Sequence, residues 1–184
     1  MSENEDICED LSAEVYDLLA CIKDPEFPDK TLGTLKTSHI IDGNERMVVN
    51  EDDINIEIFE TPTLGVSNLG SSKIRKLLIK IFYTPTVQHC SLTSLIGLCI
   101  YKKIQNDFPI TAHTILFDHS EKKSFYQFND DSSEDNLRWA VKILVKPGSH
   151  SNETDANRQI GDKERVTAAL ENQHLIDKIN KLIT

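Results

Sequence analysis

Between residues 74 and 104 the chain passes from a strand-forming run to a helical stripe, and no other stretch restricts the fold as much. Leu77-Leu78-Ile79-Lys80-Ile81-Phe82-Tyr83 is apolar and rich in strand formers. Leu92, Leu95, Ile96, Cys99, Ile100 and Ile104 then recur at the spacing of one apolar helix face. Thr84-Pro85-Thr86-Val87-Gln88-His89-Cys90-Ser91 joins the two as a tight, Pro-containing loop. The order is strand, loop, helix, with Cys90 at the helix N-terminus. Unpaired backbone N–H groups there favour an anion and lower a thiol's pKa.

The remaining elements arrange themselves around this unit. Residues 1–9 read as a mobile acidic tail. From Asp10, with Asp10 or Ser12 as cap, Leu11, Val15, Leu18, Leu19 and Ile22 trace a helix. Pro25 predicts its end at Asp24. Leu35 to Ile41 reads as a strand, and Ile54, Ile56 and Ile58, alternating with Asn55 and Glu57, as another. Thr61-Pro62-Thr63 reads as loop. The strand at 74–83 leads into a helix over 92–107 that stops before Phe108-Pro109; 110–117 reads as a strand and 118–136 as a charged, serine-rich excursion. Alternation through Leu137, Trp139, Val141, Ile143 and Val145 makes a further strand. Asp162 caps a helix, and an amphipathic helix from about Gln173 presents Ile176, Ile179 and Ile183. This series predicts an α+β fold, a small mixed β-sheet with helices packed on one face, in one domain.

Charge and cysteine usage narrow the function classes. The 184 residues carry 30 acidic against 20 basic side chains, a formal net charge of -10. Phosphate backbones are repelled by such a molecule, and direct nucleic-acid binding is not expected. The acidic N-terminus is unlike a secretory or mitochondrial leader, and no apolar run approaches membrane-spanning length, so a soluble intracellular protein is expected. Cys8, Cys21, Cys90 and Cys99 form no CxxC pair. Neither a disulfide framework, nor a zinc ribbon, nor a self-contained cluster site is encoded.

Cys90 admits three readings: an inert thiol, a nucleophile with His89 or His150 as base, or a ligand for a soft metal or cluster. Adjacent residues on an extended loop point apart, which makes His89 a poor base. Cys99 falls within an apolar stripe and is expected to be buried; Cys21 is expected to pack, and Cys8 is unassigned. His39, His113, His119 and His174 have no ligand-like spacing. His150 and Glu153 are too few for a structural metal site, and polar loop contacts fit them better. Asp162-Lys163-Glu164-Arg165 reads as helix capping, or as a partner-docking face. There is no phosphate loop, GxSxG elbow or HExxH. A reactive-thiol carrier or adaptor fits these residues better than an enzyme.

Three ordered motifs carry a family resemblance. They are Asp24-Pro25-Glu26-x-Pro28 with Leu32 and Leu35; Phe82-x-Thr84-Pro85-Thr86-x-x-His89-Cys90-Ser91 with Leu95-Ile96-Gly97-Leu98-Cys99-Ile100; and Pro147-Gly148-x-His150, then Asn157-x-Gln159-x-x-Asp162-Lys163-Glu164-Arg165-Val166-x-Ala168-Ala169-Leu170. Together they resemble the eukaryotic cytosolic iron–sulfur assembly proteins of the Cia-two type. These are the branch of the SufT/PaaD-like domain that interacts with the MMS-nineteen protein. The resemblance implies an αββαβα-like domain over 10–184, with insertions at about 43–72 and 110–136.

It further implies a non-enzymatic part in delivering [4Fe–4S] clusters to cytosolic and nuclear apo-proteins. The implied partners are a WD-repeat propeller protein and a HEAT-repeat scaffold. The family's reactive cysteine falls on Cys90, with Thr84, Pro85, Thr86, His89 and Ser91 as its supporting loop. His150, Glu153, Asn157 and Asp162 to Arg165 are site-shaping or docking residues. One thiolate cannot hold a cluster alone, so any cluster is transient and shared with a partner or with Cys90 of a second copy. A transferase with a Cys90 nucleophile, and an adaptor in which Cys90 merely packs, are the competing expectations.

Overall fold

The computed structural model describes residues 3–37, 46–62, 73–89, 92–116 and 137–184. Its elements run α1 (Glu3–Ala20), β1 (Ile54–Pro62), β2 (Lys73–Tyr83), α2 (Thr93–Leu116), β3 (Leu137–Val145), α3 (Glu153–Gly161), α4 (Lys163–Glu171) and α5 (Gln173–Ile183). β2 pairs antiparallel with β1 and parallel with β3, so the sheet is mixed, in the order β1–β2–β3. A parallel pair needs a long crossover, and α2 is its described part. This is the expected α+β architecture.

Period-two alternation sorts the sheet into two unlike faces. Register aligns Ile54 with Ile81 and Ile143, Ile56 with Ile79 and Val141, and Ile58 with Leu77 and Trp139, an apolar face three rows deep. The helices cover it: α1 packs on β1 and α2, while α2 also meets β3, α3 and α5. Leu11, Val15 and Leu19 of α1 and Ile96, Ile100, Ile104 and Phe108 of α2 are buried there. Gly97 sets the approach of α3 to α2. A Cβ on it would lie 2.6 Å from Ile160 Cδ1 and 3.3 Å from the Tyr83 hydroxyl.

Several expectations are corrected. α1 begins at Glu3, so residues 3–9 are its first turns rather than a tail; Ile7, one turn before Leu11, packs on the core and extends the stripe. It stops at Ala20, short of Asp24. α2 runs through Pro109 to Leu116, where a helix end and a new strand were expected. An interior proline costs roughly 3 kcal/mol. Phe108 and Ala112 are fully buried on either side of it, and Phe108 meets Trp139 edge-on at 5.6 Å, so tertiary packing outweighs that cost.

β1 lies inside the stretch taken for an insertion, yet Ile54 and Ile56 belong to the core, and the strand extends through Thr61 and Pro62. Pro62 is tolerated because β1 is an edge strand. Of the expected strand at 35–41, residues 35–37 are described, joined to the next segment by a Lys36–Met47 bridge, the Val48 N–H bond to Leu35 O and the Thr37 N–H bond to Arg46 O; residues 38–41 lie outside the described residues, as do 63–72 and 117–136. No described helix is long and apolar enough to cross a membrane.

Candidate functional site

The loop after β2 is tied to three other parts of the chain. Tyr83 ends β2 fully buried, and its hydroxyl donates to Thr93 O at 2.8 Å, clamping the far end of the loop to the near one. The Thr84 N–H donates to Val48 O at 2.8 Å. The Thr86 hydroxyl donates to Asp24 Oδ2 at 2.8 Å inside the protein. Asp24 is fully buried, and its other oxygen accepts the N–H groups of Glu26 (2.8 Å) and Phe27 (3.0 Å). A buried carboxylate is tolerable only when hydrogen-bonded in this way. Two motifs separated by sixty residues in sequence thus meet at one carboxylate. Thr84 Oγ1 is buried and finds no hydrogen-bond partner among the described residues.

Beside this loop lies an open polar pocket of about 370 Å³. His89 reaches it from the loop, Thr93 and Ser94 from the first turn of α2, and His150, Ser151, Asn152 and Gln159 from the turn after β3 and from α3. The two walls are bonded to each other. The Ser151 N–H donates to Gln88 O at 3.0 Å, its hydroxyl donates to the same oxygen at 3.1 Å, and Ser94 Oγ donates to Gln159 Oε1 at 2.7 Å. His89 Nδ1 stands 2.9 Å from Ser151 Oγ. With the Ser151 proton on Gln88 O, His89 Nδ1 is left as the donor in this contact. His150 Nδ1 accepts the Asn152 N–H at 3.1 Å.

Cys90 and Ser91, the two residues after His89, lie outside the described residues. The expected strand–loop–helix order around them holds: β2 ends at Tyr83 and α2 starts at Thr93. Cys99 is buried, and burial pushes its thiol up to about 12, so it is inert at neutral pH. Cys8 is half-buried on α1, and desolvation raises its pKa against a backbone hydrogen bond from Ile58. Cys21 was expected to pack and is instead exposed, its Sγ 3.1 Å from Leu18 O. Among the described residues no group of three or more His, Cys, Asp or Glu side chains stands together as a metal site.

The other predicted residues divide between two places. Glu153 Oε2 accepts the Gly148 N–H at 2.8 Å across the turn, where Gly148 takes the left-handed φ of 76°. Asn157 Oδ1 accepts the Val145 N–H at 2.7 Å and pins α3 to the end of β3. Both hold the His150 wall in position. Asp162 caps α4, accepting from Glu164 N (3.0 Å) and Arg165 N (3.3 Å), and pairs with Arg165 Nε at 3.4 Å. Asp162 to Arg165 sit at the α3–α4 junction and do not line the histidine pocket, whereas Lys163 lines a different groove. Sequence reasoning missed Ser94 and Ser151, and it quoted Asp24 without a role. The Asp-Pro-Glu turn was the available signal, since an Asx turn requires an acceptor there.

The class so defined is a small α+β protein with a braced segment, Thr84 to His89, between β2 and its central helix; in sequence Cys90 comes next. No family model matches the chain. Curated relatives do. It is 34% identical over 170 residues to the MIP18 family protein FAM96A of Dictyostelium discoideum, covering 92% of this chain and 89% of that one. It is 32% identical to Protein AE7-like 2 of Arabidopsis thaliana, covering 88% and 72%. A Saccharomyces cerevisiae MIP18 family protein is 32% identical over 92% of this chain, which spans about half (52%) of that longer relative. The chain belongs to the MIP18 family, in agreement with the resemblance read from its motifs.

Proposed function

We propose that this protein is a non-enzymatic component of the cytosolic iron–sulfur targeting machinery, with Cys90 as its reactive thiol. In this reading Cys90 is a transient ligand of a [4Fe–4S] cluster on its way to cytosolic and nuclear apo-proteins. The cluster is cargo, not a resident group. Ligation takes the thiolate, so the Cys90 proton leaves before iron is bound. A WD-repeat propeller and a HEAT-repeat scaffold are the partners, and partner groups or a second copy complete the ligand set.

The supporting observation is the bracing of the segment that leads into Cys90. Hydrogen bonds at Thr84, Thr86, Gln88 and His89 hold it against three separate parts of the chain, beside an open pocket. A handover site needs a ligand whose position is held and whose surroundings admit another protein, and a braced approach through His89 beside an open pocket supports that reading. Membership of the MIP18 family agrees with the reading.

The test is affinity purification of the full chain and of Cys90→Ala, with client cluster content measured in parallel. Both forms are expected to bring down the propeller and the scaffold, while clients lose iron in the variant alone. Normal client loading with Cys90→Ala sinks the thiol role. A covalent Cys90 intermediate with turnover by the isolated protein replaces it with the transferase.

A further inference from the structure

Away from the loop, the outer edge of β3 pairs with no strand among the described residues. Parallel pairing leaves alternate residues facing each side, and the Lys146 N–H bond to Tyr83 O fixes which. Residues 138, 140, 142 and 144 point their backbone groups at β2. Trp139, Val141, Ile143 and Val145 point theirs away. Asn157 takes the Val145 N–H, and among the described residues no backbone pairs with the other three. That edge opens onto a groove of about 890 Å³, walled by Tyr101 and Pro109 of α2 and by Lys163 and Val166 of α4.

The face of the sheet that no described helix covers carries four cations against one carboxylate, Glu57. Register places Lys76 beside Arg138 and Lys80 beside Lys142. Lys76, Arg138 and Lys142 are exposed, and the ion pairs among the described residues use none of the four. A cationic cluster on a chain of net charge -10 is a local exception that attracts anionic groups.

We infer that β3's edge takes an extended segment of a partner protein as a fourth strand, one in which acidic and apolar residues alternate. Its backbone pairs with Trp139, Val141 and Ile143. Its apolar side chains lie beside Trp139 and Val141 on the helix side, against Tyr101, Pro109 and Val166. Its acidic side chains fall beside Arg138 and Lys142, with Lys76 and Lys80 one strand further in. Strand addition of this kind takes affinity from main-chain hydrogen bonds and specificity from alternate side chains. A second copy of this chain fits poorly, because β3 against β3 sets Arg138 and Lys142 against the same cations. The inference does not depend on Cys90 and survives the failure of that reading.

The probe is a short fluorescent peptide in which Glu alternates with Val and Ile, titrated into the full chain by anisotropy. Saturable binding is expected that weakens with salt. It should fall more than about tenfold in the exposed Arg138→Glu/Lys142→Glu variant and recover with the Lys-for-Glu peptide. N-methylating the peptide bonds that face β3 should abolish it. Hydrogen exchange should slow at the Trp139, Val141 and Ile143 amides on binding. No saturation by about 1 mM, equal binding of the N-methylated peptide, or equal binding of Glu and Lys peptides overturns the inference. So does a concentration-dependent dimer that blocks the peptide, which assigns the edge to a second copy.

Discussion

Cutting the link between Asp24 and Thr86 should show how firmly the loop before Cys90 is held. Asp24 is fully buried and accepts three hydrogen bonds, two from the turn at Glu26 and Phe27 and one from Thr86, which is 3% exposed. Bonds to a charged acceptor contribute about 1.5–3 kcal/mol each, and a donor left buried without a partner costs about 1–3 kcal/mol. Asp24→Ala loses all three acceptor contacts and strands the Thr86 hydroxyl, so a loss of ~3–5 kcal/mol is expected. Thr86→Val removes one donor and leaves the carboxylate two, so ~1.5–3 kcal/mol is expected. The double variant should cost less than the sum, because the bond can be lost only once. Urea unfolding of the four proteins gives the coupling directly, expected at ~1.5–2.5 kcal/mol. A coupling within about 0.5 kcal/mol of zero refutes the claim that Asp24 anchors the loop through Thr86.

Cys99 makes stability fall in alkali. Its folded pKa is raised from 9.0 to about 12, so the unfolded thiol ionises first and the contribution, intact below pH 9, is lost as pH rises. Between pH 8 and pH 10 the wild type should lose about 1.4 kcal/mol more than Cys99→Ala, read by urea unfolding at each pH, and equal losses would contradict the burial. Gly97→Ala sets a Cβ 2.6 Å from Ile160 Cδ1. It should destabilise by about 1–2 kcal/mol despite alanine's better helix propensity. In an Ile160→Ala background, which lacks both Cδ1 and the Cγ1 that would stand 2.9 Å from that Cβ, Gly97→Ala should cost at most half as much, and an equal cost would place it elsewhere.

Where one period ran unbroken, the sequence told the fold plainly. β2, β3 and the buried stripe of α2 through Ile104 are where alternation and helical spacing put them. It misled where a strong local signal met a stronger tertiary one. Pro109 argued for a helix end, but Phe108 and Ala112 bury their side chains on the same helix, and local propensity carries no record of what a side chain will pack against. The start of α1 was hidden for the opposite reason: Ile7 is one apolar residue among acids and offers no periodicity of its own. Strand β1 shows in the sequence as alternation, within a stretch that the family pattern reads as an insertion. Nothing local reveals that Ile56 faces Ile79. For the site, His89 and His150 stand out in the sequence, but the pocket they share with Ser94 and Ser151 does not, and the partnership of Asp24 with Thr86 links residues too far apart for any spacing rule.

The motifs that made the chain recognisable are largely the parts of a frame. The Asp24 turn holds Thr86, Gly97 admits Ile160, Tyr83 closes the loop onto Thr93, Asn157 pins α3 to β3, and Asp162 starts α4. None of these contacts does chemistry, and each fails at a cost measured in stability. Losing any of them should therefore lower the folded fraction and partner recovery together. Losing Cys90, in the proposed reading, should lower client loading with partner recovery intact. The two patterns separate a braced scaffold from the group it carries, and they do so without any cluster having to be seen on the isolated protein.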